Sequence, residues 1–317
     1  MSQTGTLLYR NEKPFSFTIQ WIDGSGKRTP AIGVPGAYDN LALSPDGTRL
    51  ALTISDGNES NIWNRDLRRG TMTRLTSGKR DTYPMWRPDG KHLLFRGADG
   101  IYIVRSDGGD KPNRVLEGPF HSSALSPDGG QLALVRRGEA TERDIWLSAV
   151  EGNGKDLRVS QPRPFVNTAA DELSPAFSPD GNWLAYAGGS NVYVQPVVGS
   201  GPRLQASVDS ARMPVFAPVT NDLYFMNNNA PGLGLSVVKY SVKGGEFIAE
   251  SPRPFSLGTT LANNTLAANK YAISSDNRLL AVVPASGGEA GQTRPRFIVM
   301  LNFFDEIKRR AAQTVAQ

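Results

Sequence analysis

The tetrapeptide Ser44-Pro45-Asp46-Gly47 returns as Arg87-Pro88-Asp89-Gly90, Ser126-Pro127-Asp128-Gly129 and Ser178-Pro179-Asp180-Gly181, with two worn copies at Ala217-Pro218-Val219-Thr220 and Ser274-Ser275-Asp276-Asn277. Proline at the first corner already has the φ a turn needs, the aspartate can cap nearby amides, and glycine accepts positive φ. The motif is therefore a hairpin turn before it is anything else. The steps between copies are 43, 39, 52, 39 and 57 residues, the period of a four-stranded propeller blade. A fainter copy, Ser2-Gln3-Thr4-Gly5, lies 42 residues ahead of the first clear turn.

Each repeat has one internal grammar. In the first, Leu41-Ala42-Leu43 precedes the turn, Arg49 to Thr53 follows it, Asn61-Ile62-Trp63 comes next, and Thr73-Arg74-Leu75 ends the unit past Gly70. Third strands repeat an apolar signature: Ile62-Trp63, Ile101-Tyr102-Ile103, Ile145-Trp146-Leu147 and Val192-Tyr193-Val194. β-Branched and aromatic side chains at one place in every repeat suit the packing of neighbouring blades. The expected fold is an all-β propeller of four-stranded blades, with seven blades favoured over six when the turns are counted. Thr18 to Ile22 and Thr29 to Ile32 read as third and outer strands that lack an inner pair. Tyr271 to Ile273, Leu279 to Val283 and Phe297 to Leu301 could close the ring with them, so that residues 1–302 form one domain. Phe303, Phe304, Ile307 and Ala311 have helical spacing, which predicts a short amphipathic helix over 303–317.

Composition narrows the function. The 33 glycines and 22 prolines are spread along the chain, as many short strands require. Basic residues exceed acidic ones by only 35 to 30 and are scattered, so nucleic acid is not an expected partner. No cysteine is present, which excludes disulfides, thiolate metal sites and a cysteine nucleophile. His92 and His121 have no partner at metal-ligand spacing, and neither a metal nor a cofactor is expected. A basic, apolar leader and a run of about 20 apolar residues are both missing, so the expectation is a cytoplasmic chain without a transmembrane segment.

These residues resemble the TolB-like, WD-like propellers, whose repeats read aromatic-Ser-Pro-Asp-Gly, then a Leu-Ala-Tyr strand, then Ile-Trp or Val-Tyr. Phe177 to Tyr186 (FSPDGNWLAY) carries that pattern. The order of blades looks like the propeller at the C-terminal end of many bacterial serine/threonine protein kinases. Gly5 to Arg10 (GTLLYR), Gln20 to Asp23 before Gly26-Lys27, Thr71 to Thr76 (TMTRLT), Val192 to Pro196 (VYVQP) and Val299 to Lys308 (VMLNFFDEIK) carry the likeness. The resemblance implies a sensor or protein-contact module. No kinase domain accompanies it: the glycine-rich phosphate loop, the Val-Ala-Ile-Lys strand and Asp-Phe-Gly are absent. Asn64-Arg65-Asp66-Leu67 falls in an ordinary repeat slot.

Aspartates 46, 89, 128 and 180 recur at the turns and are expected to cap them. In a propeller, polar groups from different blades meet where the innermost strands and the loops feeding them line the axial channel. Asp81, His121, Asp171, Glu172, Asp209 and Arg212 fall at such places and form the candidate binding site at the channel mouth. The expected function is non-catalytic binding or sensing of a protein or small ligand. The enzymatic alternative is a lyase or hydrolase acting on a carbohydrate or ester through the channel carboxylates and His121. No Gly-x-Ser-x-Gly elbow is present to support an α/β-hydrolase.

Overall fold

The computed structural model describes residues 7–11, 16–57, 59–138, 142–199, 201–208, 210–227, 234–255, 270–285 and 296–300, with Phe304. Residues 16–285 form one compact unit built from six antiparallel sheets. Blade 1 runs from its inner strand Tyr38–Leu43 through Arg49–Asp56 and Glu59–Asp66 to Met72–Arg74. Blade 2 uses Thr82–Trp86, His92–Arg96, Gly100–Arg105 and Asn113–Glu117. Blade 3 has Phe120–Leu125, Gln131–Arg136 and Asp144–Glu151, whose outer edge is shared by Arg158–Val159 and Arg163–Val166. Blade 4 consists of Glu172–Phe177, Trp183–Gly188, Asn191–Pro196 and Leu204–Gln205. In blade 5, Ala211–Phe216, Asp222–Asn227 and Leu235–Lys243 are followed by Glu246–Ala249 and Arg253–Phe255, which divide the outer edge in the same way as in blade 3. Blade 6 joins the two ends of the unit: Tyr271–Ile273 and Leu279–Pro284 supply its inner half, Phe17–Ile22 and Arg28–Gly36 its outer half.

This last blade corrects the count. The N-terminal half-repeat and the C-terminal half-repeat pair along Phe17–Ile22 and Leu279–Pro284, from Phe17 opposite Pro284 to Ile22 opposite Leu279. Two half-repeats thus make one blade, and the ring has six blades, not seven. The core agrees. Ile62, Trp86 and Phe95 lie between blades 1 and 2, and Leu94, Ile101 and Leu134 between 2 and 3. Ile145, Phe177 and Tyr186 lie between 3 and 4, and Val194, Phe216 and Phe225 between 4 and 5. Met213, Tyr224 and Tyr271 lie between 5 and 6, and Ile19, Leu41, Leu52 and Val282 between 6 and 1. Six sheets with an apolar seam between every consecutive pair, including the last and the first, form a closed cycle. Third strands feed two seams at once because their side chains alternate: Ile62 packs toward blade 2 while Trp63 packs toward blade 6.

The faint turn at Ser2 lies outside the described residues. So does the expected C-terminal helix apart from Phe304, the one described residue in α-helical conformation, and it is not supported: the described residues are otherwise strand and loop, with the single 3-10 turn Gly154–Asp156. The second unit, residues 1–15 and 286–317, shows the antiparallel pair Leu7–Asn11 and Arg296–Met300.

The recurring turn is a small hydrogen-bonded device. Ser44 Oγ donates to Asp46 Oδ1 at 2.5 Å and accepts the Arg49 N–H at 2.9 Å, while Asp46 Oδ1 also accepts the Thr48 N–H at 3.1 Å. The same links recur at Ser126-Asp128 and Ser178-Asp180. The Ser44 hydroxyl, more than any other group, holds the Asp46 carboxyl down to about 2. Gly47 closes the turn with φ +68°, where a Cβ is disfavoured. Gly47→Ala should therefore cost about 1 kcal/mol, read as a lowered urea midpoint with an unchanged denaturant slope. Its Cβ would meet no heavy atom within 4 Å, so a larger loss would contradict a purely conformational cost.

Candidate functional site

Every inner strand of blades 1 to 5 breaks register once near its start. In blades 1 and 3 the break lies between Tyr38 and Leu41 and between Phe120 and Ser123. In blades 2, 4 and 5 it lies between Thr82 and Met85, Leu173 and Ala176, and Arg212 and Val215. The second group is the one with proline at the break: Pro84, Pro175 and Pro214. Proline has no N–H to give to a ladder, so within a strand it belongs at a bulge. The residues before these prolines, Tyr83, Ser174 and Met213, have φ of 54°, 52° and 55°. Left-handed backbone is disfavoured for any side chain but glycine's, and doubly so before proline. Three occurrences at one place in three blades make it a constructed feature of the channel wall.

The bulged end of each inner strand lies opposite the Ser-Pro-Asp-Gly turns, because the turns join the other end of the inner strand to the second strand. At this bulged end, charges from consecutive blades gather. Lys270, which leads into blade 6, is fully buried and pairs with Asp39 at the start of blade 1. In blade 2, Tyr83 feels the charges of Asp39, Arg96 and Arg143, and burial pushes its hydroxyl up to about 12, so it is a neutral donor at ordinary pH. Arg96 stands opposite Thr82 in the strand register and reaches its hydroxyl at 3.5 Å. Desolvation and the neighbouring Arg80 weaken its hold on its proton. In blade 3, Arg143 forks onto Asp171, with Nε 2.9 Å from Oδ1 and a second contact from the guanidinium to Oδ2.

His121 lies among these groups. Its imidazole is held below 6.5, first by desolvation of the ring and then by Arg96, Arg143 and Arg137, against the pull of Asp171. The residue as a whole keeps an exposed face.

The six residues expected at the mouth are thus placed differently. His121 and Asp171 share one electrostatic cluster. Asp81 is buried, accepts the Gly78 N–H at 3.0 Å and has its carboxyl raised by burial. Glu172 is fully buried, accepts the Thr168 hydroxyl at 2.5 Å and is raised by burial. Arg212 is half-buried in blade 5, where desolvation lowers its pKa. Asp209 lies outside the described residues. Sequence reasoning missed Asp39, Lys270, Arg96 and Arg143. Counting back from the turns would have found two of them: Asp39 stands five residues before Ser44, as His121 does before Ser126, and Lys270 stands four before Ser274, as Tyr83 does before Arg87.

The turn face carries a shallow depression of about 740 Å³ lined by Arg49, Asp89, His92, Arg105 and Asp107. Within it, His92 Nδ1 lies 2.9 Å from Asp89 Oδ2 and Arg105 pairs with Asp107 at 2.5 Å. Among the described residues, no cluster of metal-ligating side chains occurs, and no helix is long and apolar enough to cross a membrane.

A closed ring of six four-stranded blades, with turn chemistry on one face and a charged mouth on the other, defines a β-propeller. Residues 7–160 match the TolB beta propeller domain. It is 32% identical over 186 residues to the uncharacterized peptidase YuxL of Bacillus subtilis, covering 45% of this chain and 28% of that protein. It is 27% identical over 219 residues to the Tol-Pal system protein TolB of Xylella fastidiosa, covering 60% of this chain and 50% of the relative. The chain thus spans half or less of the length of these relatives. Among solved structures, a protein of Agrobacterium tumefaciens assigned as TolB superposes with a TM-score of 0.63 at 16% identity, over 86% of this chain and 99% of that one. A functionally unknown protein of Desulfotomaculum acetoxidans gives 0.58 at 14% identity, over 89% and 98%. At these identities the solved structures speak for the fold alone.

Two outcomes follow from the geometry. Lys270 is 0% exposed and Asp39 27%. Removing the aspartate strands a buried cation, whereas removing the lysine leaves a carboxylate that water can reach. Asp39→Asn should therefore lower the urea midpoint more than Lys270→Met does, and the reverse order would refute this account of the pair. For His121, folding depresses the pKa. Its contribution to stability is full above the unfolded value and is lost as pH falls through the folded one. His121→Asn should lose less stability than the parent between about pH 7.5 and about pH 5, measured by urea denaturation at each pH.

Proposed function

We propose that this propeller is a non-catalytic binding module that takes a protein or peptide ligand at the bulged mouth of its channel. The observation that carries the reading is the meeting of charged and polar groups from blades 6, 1, 2, 3 and 4: Lys270, Asp39, Tyr83, Arg96, His121, Arg143 and Asp171. Single blades supply one or two such groups, and only the closed ring assembles them. A site of this kind, made of convergent polar groups on a rigid scaffold, is what ligand recognition needs. The likeness to Tol-Pal system proteins supports a protein ligand. A sensor role beside a kinase is the finer form of the same proposal. It rests on the sequence resemblance alone, since the relatives reported above are TolB proteins and a peptidase.

A second reading, an enzyme, draws on the likeness to the peptidase YuxL. Its feature in this chain is His121, whose depressed pKa keeps the ring neutral near pH 7 and able to accept a proton. One experiment separates the two. The parent chain, a mouth double variant His121→Ala/Arg143→Ala and a turn-face variant Arg105→Ala are immobilised for protein capture and assayed against a panel of peptide, ester and glycoside substrates. Binding lost in the mouth variant and kept in the turn-face variant, without turnover, supports the binding module. Turnover that disappears with His121 overturns it.

A further inference from the structure

Arg96 is a half-buried cation at the mouth with no carboxylate partner among the described residues; its one contact there is the Thr82 hydroxyl at 3.5 Å, at the limit of a hydrogen bond. A desolvated guanidinium without a counter-ion is costly. The neighbouring positive charge of Arg80 raises that cost, against the pull of Tyr83. A second donor lies close by. Asn40 is 1% exposed, and its Oδ1 accepts the Tyr83 N–H and the Thr53 hydroxyl, each at 3.2 Å, while its Nδ2 is buried with no acceptor among the described residues. Buried amide donors are rarely left so. Both donors flank Tyr83, the strained bulge residue of blade 2.

Resting on the reading of the mouth as a ligand site, we infer that the wall formed by blades 1 to 3 is a receptor for a carboxylate borne by an acidic peptide, held by Arg96 with Asn40 beside it. The ligand class is indicated by the site itself. The neighbouring arginine, Arg143, already holds a planar carboxylate in its fork, that of Asp171, the geometry in which guanidinium recognises a carboxylate. Arg96 offers the same fork unfilled. Asp39, the carboxylate whose charge Tyr83 feels, is engaged by Lys270. The cationic groups of blades 2 and 3 draw an acidic segment in, and the salt-bridged pairs Asp39–Lys270 and Arg143–Asp171 bound the site on either side.

The test uses the full chain and short fluorescent peptides read by anisotropy: one rich in Asp and Glu, and one of the same length rich in Lys, with acetate and inorganic phosphate as competitors. The acidic peptide should bind and the Lys-rich peptide should not, with affinity falling as salt rises. Arg96→Gln should weaken acidic-peptide binding by about tenfold or more, as loss of a charge-assisted hydrogen bond does. The thermal midpoint of the unliganded variant should be unchanged or raised, since a desolvated cation has been removed. A lowered midpoint would make Arg96 a structural residue and overturn the inference. Equal binding of the two peptides, or an Arg96→Gln variant that binds as the parent does, would overturn it as well. Competition by phosphate but not by acetate would replace the carboxylate with a phosphate ligand. If neither peptide binds, the carboxylate assignment falls while the broader reading still faces its own capture experiment.

Discussion

Pairing between Phe17–Ile22 and Leu279–Pro284 is the interaction on which the rest of the ring depends. Each blade is a thin antiparallel sheet that cannot bury both of its faces alone, and each apolar seam needs a neighbour on the far side. In an open row of five blades, the first would leave Leu41 and Leu52 uncovered and the last would leave Met213 and Tyr224 uncovered. Blade 6 removes both edges at once, since Ile19 and Val282 cover blade 1 and Tyr271 packs on Met213 and Tyr224 of blade 5. Closure also joins residues more than two hundred positions apart in sequence, an entropic cost that grows only slowly with loop length and is set against two apolar seams and a full ladder of backbone hydrogen bonds. The buried Lys270–Asp39 pair lies at the same junction, across blades 6 and 1, so ring closure and assembly of the mouth are a single event.

The two faces of the ring divide the chemistry by a simple geometric rule. The turn between the inner and second strands always falls on one face, and the link between the second and third strands always falls on the other. Repetition has fixed the first face: Ser, Asp and Gly satisfy one another locally within four residues, and Arg87, which replaces serine in the second turn, reaches instead to the Gly129 carbonyl at 2.9 Å and to Asn153 Oδ1 at 2.8 Å in blade 3. The opposite face repeats in backbone only. Its register breaks recur, but the residues at them do not: Asp39-Asn40, Tyr83-Pro84, His121-Ser122, Ser174-Pro175 and Met213-Pro214. Function can vary on such a face because the backbone device beneath it stays constant.

That division explains what the sequence disclosed. The all-β propeller was legible because its signals are local: a turn with a mechanism, a period, and an apolar pair in every third strand. The blade count was not, because the faint copy at Ser2 adds a seventh to the six turns that the six blades carry, and only pairing between the chain ends shows that two half-repeats share one blade. The mouth was half legible. His121 and Asp171 could be placed as residues that lead into inner strands, whereas Arg96 and Arg143 sit at the end of a second strand and the start of a third, positions that read as solvated charge until the ring brings them beside the next blade. Glu172 differs from Asp171 by one residue, yet alternation along the strand sends its side chain into the interior to meet Thr168.

The strained bulges have a further physical meaning. A non-glycine residue in left-handed backbone costs on the order of 1 kcal/mol or more, and blades 2, 4 and 5 each carry that cost at the equivalent residue. Proline at the next position removes a ladder donor where the bulge would have left it unpaired, and it also reduces the freedom of the unfolded chain, so part of the strain is offset. In return, the inner strand turns its first residues away from the ladder and toward the axis. In blade 2 this brings the Tyr83 N–H onto Asn40 of blade 1 at 3.2 Å, a bond between neighbouring inner strands that regular pleating does not provide. The wall of the mouth is therefore stiffened where its donors lack acceptors. A rigid, already desolvated donor set recognises a ligand with little ordering left to do at the moment of binding.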